Sequence, residues 1–248
     1  MDDSLTALAP VLYLYVRPFI VGIALLAGLI TLLCKTKSTK VLGLGIVLSS
    51  VSSILDCIFQ VMIKTTTAEA AYEFNSSAGI IQFFLLIGSI LCLCLFIHKN
   101  YGKKLIYLPL LLIPIAVAIL TLVVARSLGN VLSGSELGIW TSISTLIISC
   151  ICGIITALIV IHAFFTNRDD EEVIPKAWLC KVIELVWNVI ETVLIVSLYL
   201  TLLKDGVMTT EQVDSSFMLI VSMRTLFALV FPVYLMIKAI TSSTEKAD

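Results

Sequence analysis

The amino-acid sequence predicts an all-α, polytopic membrane protein: a bundle of seven transmembrane helices, with the N-terminus outside and the C-terminus inside. Three observations lead there: the composition, the length of the apolar segments, and the distribution of lysine and arginine. Of 248 residues, 59% are apolar and only 13% are charged, and the mean hydropathy is +1.10. A soluble chain is roughly 45–50% apolar and about 25% charged, so these charges are too few to cover a water-exposed globule. That excludes a soluble enzyme, a disordered chain and a disulfide-stapled secreted module. A net charge of −1 lacks the basic surface of a nucleic-acid binder. The expected surroundings are a lipid bilayer, in a plasma or bacterial cytoplasmic membrane.

A bilayer core about 30 Å thick needs roughly 20 mostly apolar helical residues. The first segment to meet this is 10–34. It is expected to be retained rather than cleaved, because Asp2 and Asp3 stand where a secretory signal carries basic residues. The second, 41–63, follows a polar stretch holding Lys35, Lys37 and Lys40. The third, 78–98, comes after the glycosylation sequon Asn75-Ser76-Ser77, and the fourth, 105–125, after Lys99, Lys103 and Lys104. The fifth and sixth, 139–165 and 178–203, are separated by a loop with the acidic run 169–172. The seventh is 217–240, and all seven belong to one integral membrane domain, 1–248. A transmembrane β-barrel would alternate over about ten residues per strand, and these runs do not alternate. Pro18, Pro114 and Pro232 fall inside spans, where each removes a helical hydrogen bond and marks a kink.

Basic residues partition between the two sets of ends. Lys35, Lys37, Lys40, Lys99, Lys103, Lys104, Arg168, Lys176, Lys181, Lys238 and Lys246 fall on one side, and only Lys64, Arg126 and Lys204 on the other. The positive-inside rule places the first set in the cytoplasm, which gives the stated orientation.

Ionisable residues within a membrane are costly and face the bundle interior or a wet cavity. Measured from span midpoints, Arg17, Asp56 and Arg224 lie about 6–7 Å to the outer side, and Gln60 and Gln82 about 9–12 Å. Glu191 falls near the midplane with Asn188 just below it. Helical phase gathers these residues. Gly45, Ser49, Ser53, Asp56, Cys57 and Gln60 share one face of the second helix, and Lys181, Glu184, Asn188 and Glu191 share one face of the sixth. Ser142, Thr145, Ser149, Gly153, Thr156 and Ala157 make a small, polar stripe on the fifth. One reading is an outward-opening polar pocket lined by Arg17, Asp56, Gln60, Gln82, Asn188, Glu191 and Arg224, with Lys181 and Glu184 as an inner ion path. The other is a pair of buried salt bridges, Arg17–Asp56 and Glu191–Arg224, that fix helix register and bind nothing.

Catalytic, metal and cofactor sites are not expected. The cysteines sit in spans or near the cytoplasmic face, as small apolar filler. His98 and His162, at cytoplasmic helix ends, are expected to pack at the interface. No His-Glu-x-x-His, Gly-x-Ser-x-Gly or phosphate-binding lysine loop occurs. In topology alone, the layout resembles heptahelical receptors and rhodopsins, and also seven-helix sugar carriers. The receptor switch motif is missing at Ile97-His98-Lys99-Asn100-Tyr101, and the last span has no central lysine to hold retinal. Short loops leave no expected output domain. The expected function is therefore transport of a small polar or ionic solute. The alternatives are ligand sensing through a separate membrane partner and a non-catalytic role in a membrane assembly, including a homo-oligomer.

Overall fold

The computed structural model describes residues 8–34, 37–101, 109–132, 134–166, 176–202 and 210–244, almost all of them helical and with no strand among them. Seven helices are long and apolar enough to cross a membrane: Leu8–Leu33, Thr39–Ile63, Ser77–Asn100, Leu112–Gly129, Glu136–Phe165, Ala177–Leu202 and Gln212–Thr241. The chain is therefore a multi-pass membrane protein, whose backbone meets its hydrogen-bonding needs inside each span. Asp2, Asp3, Lys35, Lys103, Lys104, Arg168, Lys204, Lys246 and the acidic run 169–172 lie outside the described residues.

Proline shapes the first and last spans differently. The first is α1 (Arg17–Leu33), entered through a π-helical turn, Leu12–Val16, in which the Arg17 N–H reaches back to the Leu12 carbonyl. Pro18 cannot donate to residue 14 and its ring crowds that carbonyl, so one wider turn keeps the span helical. The next helices are α2 (Lys37–Thr65), α3 (Ala68–Tyr101), α4 (Pro109–Gly129), α5 (Gly134–Thr166) and α6 (Ala177–Leu202). Pro114 lies within α4 without breaking it. The last span is divided into α7 (Thr210–Ala228) and α8 (Val230–Thr244) at Leu229. Pro232 has no N–H for the Ala228 carbonyl, and the ladder resumes with Val233 N–H to Leu229 O at 3.1 Å.

The third span, Ser77–Asn100, lies close to the expected 78–98, but its helix starts at Ala68 and takes in residues 75–77; at 1.5 Å per residue it is about 50 Å long and overshoots the bilayer core. The fourth helix is described from Pro109, and its expected start at 105 lies outside the described residues.

The spans form a ring in chain order. Packing is closest along α1–α2–α3, and α4–α5–α6 make a second consecutive group. The last span closes the ring, with α7 against α6 and the π-helical turn and α8 against α1, α6 and α2. Among consecutive spans, those of α3 and α4 meet most sparsely. The tight side depends on small residues: a Cβ added to Gly43 would sit 3.1 Å from the Gly28 carbonyl, the Leu32 nitrogen and Thr31 Cβ. Such approach lets van der Waals contact drive association where lipid offers no hydrophobic gradient.

Apolar packing is concentrated at the end of the bundle that holds the C-terminus. The Phe96, Phe164 and Phe231 rings stand in series with centroids 6.2 and 6.4 Å apart. Ile97, Leu110, Val160 and Leu235 fill around them, each at most 2% exposed. Toward the N-terminal face, buried apolar side chains are sparser, with Tyr13, Ile143, Ile195 and Val213 among them. The bundle is thus plugged at one end and looser at the other.

Gly43→Ala is expected to destabilise the protein by about 1–3 kcal/mol, since it overpacks a backbone contact. Gly79→Ala is expected to be neutral or stabilising, because no atom lies within 4 Å of the added methyl and alanine favours helix. Thermal unfolding of the two variants in detergent micelles checks the contrast.

Candidate functional site

The 3-4-3 spacing of Lys181, Glu184, Asn188 and Glu191 puts them on one stripe of α6, over about 15 Å of helix. This stripe faces a half-open cavity of about 650 Å³ bordered by α3, α4, α5, α6 and α7. Opposite it, α5 presents Ser149, Gly153, Thr156 and Ala157, and α7 presents Arg224 and Phe227. Gly153 has a specific role: a Cβ there would fall 2.7 Å from the Asn188 amide nitrogen, so the glycine makes room for that side chain. The wall from α3 and α4 is apolar, with Phe83, Leu86, Ile90, Ile113, Pro114 and Val117.

Two ion pairs stand at different heights along the stripe. Low down, Lys181 Nζ donates to Glu184 at 2.7 Å, and the same ammonium lies 4.4 Å from the centre of the Phe231 ring. Lys181 therefore rests on the apolar plug, held by charge and by the ring face together. Lys181 and Glu184 also border a second cavity of about 240 Å³ between α1, α2, α3 and α8, where Ser49, Ser50, Ser53 and Ser89 lie. The pair borders both cavities.

Higher up, Arg224 approaches Glu191 at 3.5 Å. This contact is long for a charge-assisted bond, which is normally nearer 2.7–2.9 Å. Glu191 is 4% exposed and its Oε2 has no hydrogen-bond partner among the described residues, whereas the Arg224 side chain is 63% exposed. A buried carboxylate half-served by a long bond is costly by itself. Beside it the Trp187 and Phe227 rings stack, 4.6 Å between centroids and 20° between planes. Both rings border the cavity, and the buried Trp187 Nε1 also lacks an acceptor among the described residues.

The remaining residues of the sequence-derived layer lie elsewhere. Arg17 Nη2 donates to the Asp56 carboxylate, and its guanidinium sits 5.0 Å from the centre of the Tyr13 ring. Neither Arg17 nor Asp56 borders either cavity. Gln82 Nε2 donates to the Ser52 carbonyl at 3.3 Å, tying α3 to α2. Gln60 is half-buried and lines neither cavity. The structure thus divides the layer: Arg17, Asp56 and Gln82 join helices, and Lys181, Glu184, Asn188, Glu191 and Arg224 border the large cavity. Sequence reasoning passed over Trp187, Phe227 and Phe231. Trp187 carries a readable signal, since it lies three residues beyond Glu184 and four before Glu191 on the same face.

The fold and this site define an integral membrane protein with a half-open, mainly apolar cavity that four charged side chains border. No protein-family model matches the chain, and no curated protein or solved structure is found to be similar to it.

Asp56→Asn is expected to cost roughly 1–3 kcal/mol, because it strips the counter-ion from a buried guanidinium. Combining it into Arg17→Met with Asp56→Leu should recover most of that loss, as apolar replacements of buried ion pairs commonly do. Unfolding midpoints of the single and double variants in micelles decide it, and a double variant no better than the single one contradicts the joining role.

Proposed function

We propose that this chain transports a small polar or ionic solute through the 650 Å³ cavity. The observation that carries the reading is the asymmetry of the bundle: a cavity bordered by four charged side chains lies over a closely packed aromatic cluster. With the orientation given by the positive-inside rule, that plug is on the cytoplasmic side and the cavity is reached from outside. A solute would enter on the looser side, meet Arg224, Glu191 and Asn188, and stop above Phe231. Passage then requires the plug to part. Phe231 sits immediately before Pro232 and two residues beyond the break at Leu229, so the gate side chain is mounted next to a joint. Broken helices of this kind frequent the solute sites of carriers.

Ligand sensing through a separate membrane partner is the second reading. Its support is the seven-span layout, which in topology alone resembles heptahelical receptors as well as carriers. Both readings use the same cavity, and flux separates them.

Two measurements test the proposal. In sealed vesicles, the reconstituted protein should speed uptake of small polar solutes over protein-free vesicles, and Phe231→Ala should raise leak severalfold by thinning the plug. On a cysteine-free background, a membrane-impermeant maleimide added outside should label Arg224→Cys and spare Leu235→Cys. Flux indistinguishable from empty vesicles, with correctly folded protein, rejects transport; equal labelling at both positions rejects the plugged, outward-reached cavity.

A further inference from the structure

We infer that the occupant of the large cavity is a small zwitterion bearing an ammonium and a carboxylate, in the chemical class of amino acids, held between Glu191 and Arg224. The inference rests on the transport reading in taking this cavity as the solute site, and it adds the chemistry of the solute. Its basis is the way the two cavity ion pairs differ. Lys181–Glu184 is short, at 2.7 Å, and supported by the Phe231 ring. Glu191–Arg224 is long, at 3.5 Å, with one carboxylate oxygen unpartnered among the described residues and a guanidinium largely exposed. The upper pair therefore retains unused capacity for both signs of charge.

Charge balance selects the class. Lys181, Glu184, Glu191 and Arg224 sum to zero around the cavity. A lone cation drawn to Glu191 meets Arg224 at close range, and a lone anion drawn to Arg224 meets Glu191. Either one also leaves a net charge in a space of low dielectric, where uncompensated charge is expensive. A zwitterion avoids both penalties. Its ammonium takes the unpartnered oxygen of Glu191 once that buried carboxylate turns into the cavity it borders, its carboxylate takes the exposed N–H groups of Arg224 in the paired geometry that guanidinium favours, and the net charge stays zero. The four groups then alternate in sign. The stacked Trp187 and Phe227 rings add a π face for the ammonium, since both border the same space. The cavity volume of about 650 Å³ leaves room for a side chain or several methylenes between the two charges.

Binding is measured on the full chain in detergent, with Trp140→Phe and Trp178→Phe leaving Trp187 as the single indole. The probes are glycine, β-alanine and γ-aminobutyrate, with propylammonium and propionate as single-charge counterparts. At least one zwitterion should shift Trp187 emission saturably, with an affinity tenfold or more above either single-charge ion. Glu191→Gln and Arg224→Gln should each weaken that affinity tenfold or more, whereas Gln60→Leu should leave it within twofold. If neither charge variant is monodisperse, the ranking of probes on the Trp187 background decides. Propylammonium or propionate binding as tightly as every zwitterion overturns the inference, and so does the absence of saturable zwitterion binding. Zwitterion binding without vesicle flux upholds this inference and removes transport; flux of another solute without zwitterion binding overturns this inference and leaves transport standing.

Discussion

A hydrocarbon interior offers no solvent to a charge, so every ionised group placed there must find its compensation inside the protein. This constraint organises the bundle. Arg17 is compensated by Asp56 and by the Tyr13 ring, and Lys181 by Glu184 and the Phe231 ring. In each, a carboxylate and an aromatic face share one cation, although Nε and Nη1 of Arg17 have no further partner among the described residues. Glu191 and Arg224 satisfy the same constraint only in part, and they border the larger of the two cavities described. The incomplete pair and the cavity are one feature, because room for an occupant is room that the protein's own side chains do not fill.

The two sides of the ring follow from what their residues permit. Glycines at 28, 43 and 45 bring α1, α2 and α3 into backbone contact, and this side holds the ion pair that borders no cavity. Across the ring, bulkier residues line the sparse α3–α4 seam, and Gly153 gives its space to the Asn188 amide rather than to another helix backbone. Small residues therefore serve opposite ends in one molecule: at Gly43 they remove space, and at Gly153 they preserve it.

Much of the architecture was legible in the sequence. Seven apolar runs became seven spans, since length and hydropathy are sufficient signals for a helix that must bury its backbone polarity. The periodicity of α6 placed Lys181, Glu184, Asn188 and Glu191 on one face. Depth did not reveal lateral position. Arg17, Asp56, Glu191 and Arg224 occupy neighbouring heights, yet one pair joins α1 to α2 and the other borders a cavity across the ring. Rise per residue measures height along the membrane normal, and only the packing order of helices says which groups at one height are neighbours. The aromatic plug was equally hidden, because Phe96, Phe164 and Phe231 read as ordinary lipid-facing or core residues until three helices bring them together.

On the transport proposal, the break at Leu229 acquires a kinetic meaning. Along a single span, Arg224 and Phe227 lie on one side of it and Phe231 on the other. A straight, stiff helix would tilt as one rod, so closing its upper end would loosen its lower end in the same movement. A jointed helix separates the two events in time. If the chain is a carrier, the upper half of this span would settle onto a bound solute while the lower half stays packed against α1, α2 and α6, producing an interval in which both ends are shut. Such an occluded interval distinguishes a carrier, which moves counted molecules, from a pore, which conducts for as long as it stays open.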